Sequence, residues 1–207
     1  MKSFFNGITM VMLSLLIVIG LSLGNPLSAQ EIGEPAPAFT LTDSNGNEHK
    51  LSDFRGQVVV LEWLNHECPF VRKFYNAGEM QRMQEMYTDE GIVWLSVISS
   101  APGKQGHMSP DEINVAMEEH DSHQTAVLID EDGETGRSYN ARTTPHMFII
   151  DSTGILRYDG AMDDQPSANP ATLEEASNYV VKALDSILNA QEIATTTTRP
   201  YGCSVKY

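Results

Sequence analysis

The stretch Val58-Val-Val-Leu-Glu62-Trp-Leu-Asn65-His66-Glu67-Cys68-Pro69-Phe70-Val71-Arg72-Lys73-Phe74-Tyr75 decides the fold. Residues 57–64 form an apolar run broken by Glu62 alone, the pattern of a central strand covered on both faces. Beyond Pro69, apolar residues recur at Phe70, Phe74, Met80, Met83 and Met86 or Tyr87, close to the 3.6-residue period. That spacing predicts a helix over 70–87 with a kink near Gly78. Cys68 then falls between a core strand and a helix start, with Pro69 suited to the first helical position. Unpaired N–H groups and the positive end of the helix dipole stabilise a thiolate there, bringing its pKa from about 8.5 into the range of roughly 3.5 to 7.5. The competing reading is an inert, buried cysteine that fills space.

Working outward, strand and helix patterns alternate. Pro35-Ala-Pro37 and the alternating run 39–42, closed by Asp43-Ser-Asn45-Gly46-Asn47, predict an N-terminal hairpin. Residues 92–98 and 126–129 read as strands, and Ser109-Pro110-Asp-Glu112 as a helix start with acids in the first turn. A short helix is expected over 135–139. Residues 147–151 and 155–158, joined by Ser152-Thr-Gly154, should pair antiparallel. Residues 161–170 read as a surface loop and 172–188 as a helix with the stripe Leu173, Ala176, Val180, Ala183 or Leu184, and Ile187. The alternation defines an α/β domain.

The chain has 207 residues, 41% hydrophobic and 20% charged, enough for one globular core and unlike a disordered or fibrous composition. Thirteen Lys and Arg against 28 Asp and Glu give a net charge of −15, a field that repels phosphates and argues against a nucleic-acid partner. No glycine loop cradles phosphates, since Gly103-Lys-Gln-Gly106 lacks the flanks for it, and no cofactor is expected. Two cysteines, Cys68 and Cys203, make neither a multi-bridge scaffold nor a four-thiolate zinc site. Lys2, the uncharged apolar run 8–24 and Pro26-Leu-Ser-Ala29 read as an export signal over 1–29, cut after Ala29 or kept as an anchor. The expected organisation is leader 1–29, domain 30–190 and tail 191–207, exported or periplasmic, touching a membrane only through the leader. Oligomeric state stays open.

The string 58–75, followed by Thr143-Thr144-Pro145-His146-Met-Phe-Ile-Ile-Asp151, resembles the thioredoxin-like superfamily and its redoxin or peroxiredoxin-like (AhpC/TSA-type) branch, over residues 34–188. The resemblance implies a three-layer α/β fold: a central mixed sheet flanked by helices, with an N-terminal hairpin and a C-terminal tail. It makes Cys68 the nucleophile, with Val71 where a second cysteine would stand. It makes Thr144 and a cis Pro145 the edge that faces the thiol and pairs with an extended thiol-bearing partner. It makes Glu62 a buried acid that exchanges protons with the thiols. The plainer readings are a turn proline, and a strand-end glutamate paired with a lysine or facing water. The chain also departs from the pattern: without a cysteine at position 71 there is no local dithiol cycle. Asn65 stands where peroxiredoxins place a threonine, and their peroxidatic position aligns with Val71, which counts against efficient peroxide reduction.

Cys203 is the candidate to resolve a mixed disulfide or sulfenic acid on Cys68, its tail docking through Tyr201, Val205 and Tyr207. A permanent structural disulfide and a bond to another chain are the alternatives. His66, Arg72 and Arg142 are candidates to stabilise the thiolate, the two arginines otherwise solvated surface side chains. His66, Cys68 and His146 form a weak soft-metal set, while His120 and His123 read as solvated. The expected protein is an exported thiol oxidoreductase whose Cys68 thiolate attacks a disulfide-bearing partner or a hydroperoxide. A peroxidase using an external reductant, and a redox-inert binding module or copper chaperone, are the other readings.

Overall fold

The computed structural model describes Met1 and residues 30–207, so the expected leader lies outside the described residues. In chain order the elements are β1 (Thr40–Asp43), β2 (Glu48–Lys50), β3 (Val59–Trp63), α1 (Pro69–Asn76), α2 (Glu79–Asp89), β4 (Val93–Ile98) and α3 (Pro110–Glu119). Then follow β5 (Ala126–Ile129), α4 (Glu134–Ser138), β6 (Thr143–Thr144), β7 (Met147–Ile150), β8 (Leu156–Gly160), α5 (Tyr179–Leu188) and β9 (Cys203–Ser204). Seven strands make one mixed sheet in the order β2-β1-β5-β4-β3-β7-β8, and β6 with β9 makes a second, two-stranded one. The run β3, β4, β5 is parallel; β1 joins β5, β7 joins β3, and β8 joins β7, each antiparallel.

β3 is central, and its side chains alternate between two cores because successive residues of a strand point to opposite faces. Val60 and Leu64 pack with Cys68, Phe74, Met80, Met83, Ile113 and Leu184 under α1, α2, α3 and α5. Val59, Leu61 and Trp63 pack with Phe39, Tyr139 and Phe148 on the face covered by α4 and the N-terminal arm. Full burial of each such side chain contributes about 1.5–3 kcal/mol, which is why the strand reads as continuously apolar. Among the described residues no helix is long and apolar enough to cross a membrane.

Three expectations need correction. The helix expected over 70–87 is two helices, because Gly78 turns left-handed (φ 72°) and starts α2 afresh. The helix expected over 172–188 starts only at Tyr179. Residues 170–175 make a 3-10 turn, the chain extends at Ala176 (ψ 135°), and the Asn178 side chain accepts from the Val181 N–H at 3.0 Å. An asparagine that caps is worth about 1 kcal/mol, and here it outweighs the apolar stripe upstream. Finally, the loop 161–170 is not all surface: Ala161, Met162 and Asp163 are buried.

The tail docks along its length. The Thr198 N–H donates to the Asp159 carbonyl (3.1 Å) and the Val205 N–H to the Arg142 carbonyl (3.1 Å). The Ala101 N–H donates to the Lys206 carbonyl (2.9 Å), and the Tyr207 hydroxyl to the Ala141 carbonyl (2.8 Å).

Candidate active site

The turn between β3 and α1 is held by Asn65, a buried residue whose carbonyl accepts the Cys68 N–H (3.0 Å) and whose Oδ1 accepts the Glu67 N–H (2.9 Å). Cys68 is the extended residue that caps α1 (φ −73°, ψ 123°), with Pro69 first in the helix. Its carbonyl accepts from the N–H groups of Val71 (3.0 Å) and Arg72 (2.9 Å). Its side chain is fully buried.

Facing it is the Thr144–Pro145 peptide, which is cis, with the Thr144 carbonyl 3.0 Å from the Cys68 sulfur. The tail arrives antiparallel to β6, in the register Thr144 opposite Cys203 and Thr143 opposite Ser204. Cys203 thereby brings its sulfur to 2.7 Å from that of Cys68, both thiols being free. A disulfide bond is about 2.05 Å long, so exchange with an oxidised partner disulfide, with a small movement, would join them. Sequence reading had these two cysteines in separate parts of the chain, and the structure brings them together with Thr144 and Pro145.

The two sulfurs differ electrostatically. Burial pushes the Cys68 thiol up, but the Cys203 thiol, the N–H groups of Val71 and Cys203 and the Thr144 hydroxyl act against it, and it comes to rest below the ordinary thiol value. The Thr144 hydroxyl is itself buried with no hydrogen-bond partner. Burial and the neighbouring Cys68 push Cys203 up to about 11, against Lys206 and Arg72. The two shifts run in opposite directions, so Cys68 is the more acidic thiol of the pair. Arg72 acts on the tail cysteine, and exposed Arg142 acts on His146, whose Nδ1 accepts its backbone N–H (3.2 Å) and whose pKa its charge helps to lower.

Glu62 is fully buried and neither pairs with a lysine nor faces water, which overturns the plainer of its two readings. Its Oε2 accepts from Trp94 Nε1 (2.9 Å), the Ser96 hydroxyl (3.1 Å) and Gln84 Nε2 (3.3 Å), and its Oε1 from the Tyr75 hydroxyl (3.1 Å). Burial pushes its carboxyl above the usual range, and these four donors draw it partly back. Neither sulfur is among its partners.

His66 does not supply the positive charge expected of it. Burial and neighbouring His120 push its pKa down to about 4, so the ring is neutral near pH 7. It stacks on His120 with centroids 4.4 Å apart, so His120 is not the solvated residue expected. His146 has both ring nitrogens engaged, one with Asp159 (2.7 Å) and one with the Arg142 N–H. Among the described residues no group of three or more His, Cys, Asp or Glu is arranged to hold a metal ion.

Sequence reading missed a buried ion pair. Lys73 is fully buried in α1, with Nζ 2.9 Å from Asp163 Oδ2 and donating to the Gln165 carbonyl at 2.9 Å. The Tyr201 hydroxyl donates to the other oxygen of Asp163, and Lys73 Nζ lies 3.3 Å from that hydroxyl. Tyr201 also meets Phe70 edge-on, with centroids 5.8 Å apart. The tail is thus fixed two residues before Cys203. The one signal was a lysine between Val71 and the apolar pair Phe74-Tyr75.

A free thiol at the start of the helix after the central strand, faced by a cis-proline edge, defines a thioredoxin-like redoxin. The AhpC/TSA family profile matches residues 32–159, and the chain belongs to that family. A thiol-disulfide oxidoreductase, ResA, of Geobacillus kaustophilus is 28% identical over 154 residues, covering 72% of this chain and 82% of the relative. Among solved structures, an uncharacterized conserved protein of the same organism superposes with a TM-score of 0.75 at 27% identity, over 86% of this chain and 92% of that one. A putative thiol:disulfide interchange protein DsbE of Chlorobium tepidum gives a TM-score of 0.50 at 26% identity, over 63% of this chain and 84% of that one.

Proposed function

We propose that the protein is a thiol-disulfide oxidoreductase whose dithiol is split between the core and the tail. The observation that carries this is the approach of the Cys68 and Cys203 sulfurs to 2.7 Å beside the cis Thr144–Pro145 edge. The Cys68 thiolate attacks one sulfur of a partner disulfide, and the other partner sulfur leaves as a thiolate that takes up a proton. Cys203 then loses its proton and attacks Cys68 in the mixed disulfide. That releases the partner's second thiol and leaves Cys68–Cys203 oxidised, two electrons having passed to the partner. An external dithiol reverses the cycle. Thr144 and Pro145 form the edge along which the attack is aligned, and Glu62 is assigned to proton transfer on its burial and its raised carboxyl pKa. The reading of residues 1–29 as a leader supports an exported site of action.

Trapping tests this. With a disulfide-bearing protein substrate, the Cys203→Ser variant should accumulate the covalent Cys68 adduct, while Cys68→Ser forms none. The thiolate absorbance of Cys68, followed against pH, should rise below the ordinary thiol range and shift upward in Cys203→Ser, which lacks one of the groups holding it down. No adduct at Cys68, or adducts at Cys203 alone, would sink the proposal. A hydroperoxide that oxidises Cys68 faster than any disulfide does would select the peroxidase reading.

A further inference from the structure

Cys68 is fully buried, and Cys203 lies on its sulfur, so a partner sulfur reaches Cys68 only where the tail now sits. That seat is stringent at one position. Gly202 has φ 140°, a backbone region almost closed to other residues. A Cβ there would lie 2.1 Å from the Thr144 carbonyl oxygen and 2.8 Å from its carbon, both backbone atoms with no freedom to retreat. The residue before the seated cysteine is therefore glycine by geometry, and the residue before that is an aromatic phenol held on Asp163 beside Phe70. On the other side of the cysteine, Val205 packs against the core of the opposite face. A cavity of about 590 Å³ runs beside this stretch, lined by Thr143, Asp163, Tyr179, Arg199, Tyr201 and Gly202, and leaves room for a strand to enter as the tail leaves.

We propose that the tail is a tethered stand-in for the substrate: the partner is an extended polypeptide segment bearing Gly-Cys, preceded by an aromatic residue, which takes the β6 edge in the register of Cys203. The inference rests on the thiol-disulfide reading and adds the substrate class. Attack and resolution then use one seat in turn. The partner cysteine occupies it while the Cys68–partner disulfide forms; the segment then swings off the β6 edge, still joined through sulfur, and Cys203 returns to attack Cys68 in line with the partner sulfur, which leaves as a thiolate. No oxidant or reductant enters beyond the partner disulfide itself.

The test uses the full-length Cys203→Ser protein, in which the tail still competes but cannot resolve. The probe is the free peptide Arg-Pro-Tyr-Gly-Cys-Ser-Val-Lys-Tyr with its cysteine activated as the mixed disulfide of thionitrobenzoate. Each attack by Cys68 joins its sulfur to the peptide's and releases one coloured thionitrobenzoate. The expected rate is about tenfold or more above that of the same peptide carrying alanine in the glycine position. Adding Gly202→Ala to the protein, which denies its own tail the seat, should speed the glycine peptide several-fold. Equal rates for the two peptides, or no acceleration by Gly202→Ala, overturn the shared seat. If Cys68 also ignores the small disulfide of thionitrobenzoate, the thiol-exchange reading itself fails, a result distinct from the other two.

Discussion

The two cysteines sit in contrasting settings. Cys68 is built into the core: it ends the turn from the central strand, its backbone caps α1, and its side chain belongs to the larger apolar cluster. Cys203 rides on a strand of two residues, held by a two-pair ladder and by contacts made on either side of it. The core fixes where the reacting sulfur is, and the tail fixes when a second sulfur is present. Such a division lets the second thiol leave and return, which a cysteine placed at Val71, in the same helix, would not do.

The contrast is broken most severely at the link between the two settings, the ion pair of Lys73 and Asp163. Lys73→Met leaves Asp163 buried without its counter-charge and should cost about 3–5 kcal/mol in chemical denaturation. The double replacement Lys73→Met with Asp163→Leu should recover part of that loss, since no charge stays buried although the Tyr201 hydroxyl and the Gln165 N–H lose their acceptor. Recovery would show that the pair is needed for pairing and not for its position as such.

Tyr201→Phe is gentler. It removes one hydrogen bond to a carboxylate, worth about 1.5–3 kcal/mol where the acceptor is charged. Because the lost contact holds the tail and not the core, the equilibrium of the Cys68–Cys203 disulfide against a glutathione buffer should shift toward the reduced form. Global unfolding should move far less. If both move together, core and tail act as one unit.

The smallest effect is expected at Glu62. In Glu62→Gln the amide oxygen can take the three donors now on Oε2, while the amide nitrogen donates to the Tyr75 hydroxyl, so stability near pH 4 should change by about 1 kcal/mol or less. The sign with pH is definite. A carboxyl whose folded pKa is raised stabilises the fold while both states are protonated, and that advantage is lost as pH rises from the ordinary carboxylate value through the folded one. Wild-type stability should decline across that window and the Gln variant should not. The proton role adds a second readout: the pH profile of exchange by Glu62→Gln should lose the inflection that the raised Glu62 carboxyl contributes, and an unchanged profile would leave Glu62 a packing residue.

Much of this was legible beforehand, and the reason is local. Residues 57–64 carry the pattern of a doubly covered strand, Ser109-Pro110 with acids in the first turn announces a helix start, and Cys68 before Pro69 marks another. The hairpin of β7 and β8 follows from small polar residues between two apolar runs. What stayed hidden depends on partners distant in sequence. Lys73 finds Asp163 ninety residues away, Cys203 takes its register from Thr144, and His66 finds His120 across a loop. No periodicity encodes such meetings. The break before α5 was hidden differently, because an apolar stripe and a capping asparagine gave opposite instructions over the same residues.

The outer strand β8 would by itself present a row of unsatisfied backbone groups. The stretch Thr196 to Thr198 runs parallel to it, with the Asp159 N–H donating to the Thr196 carbonyl (3.1 Å) and the Asp159 carbonyl accepting from Thr198. Bare margins of this kind template the stacking of chains into aggregates. The segment that delivers a thiol thus also covers this margin, and a chain cut before Thr196 should lose solubility as well as the second thiol.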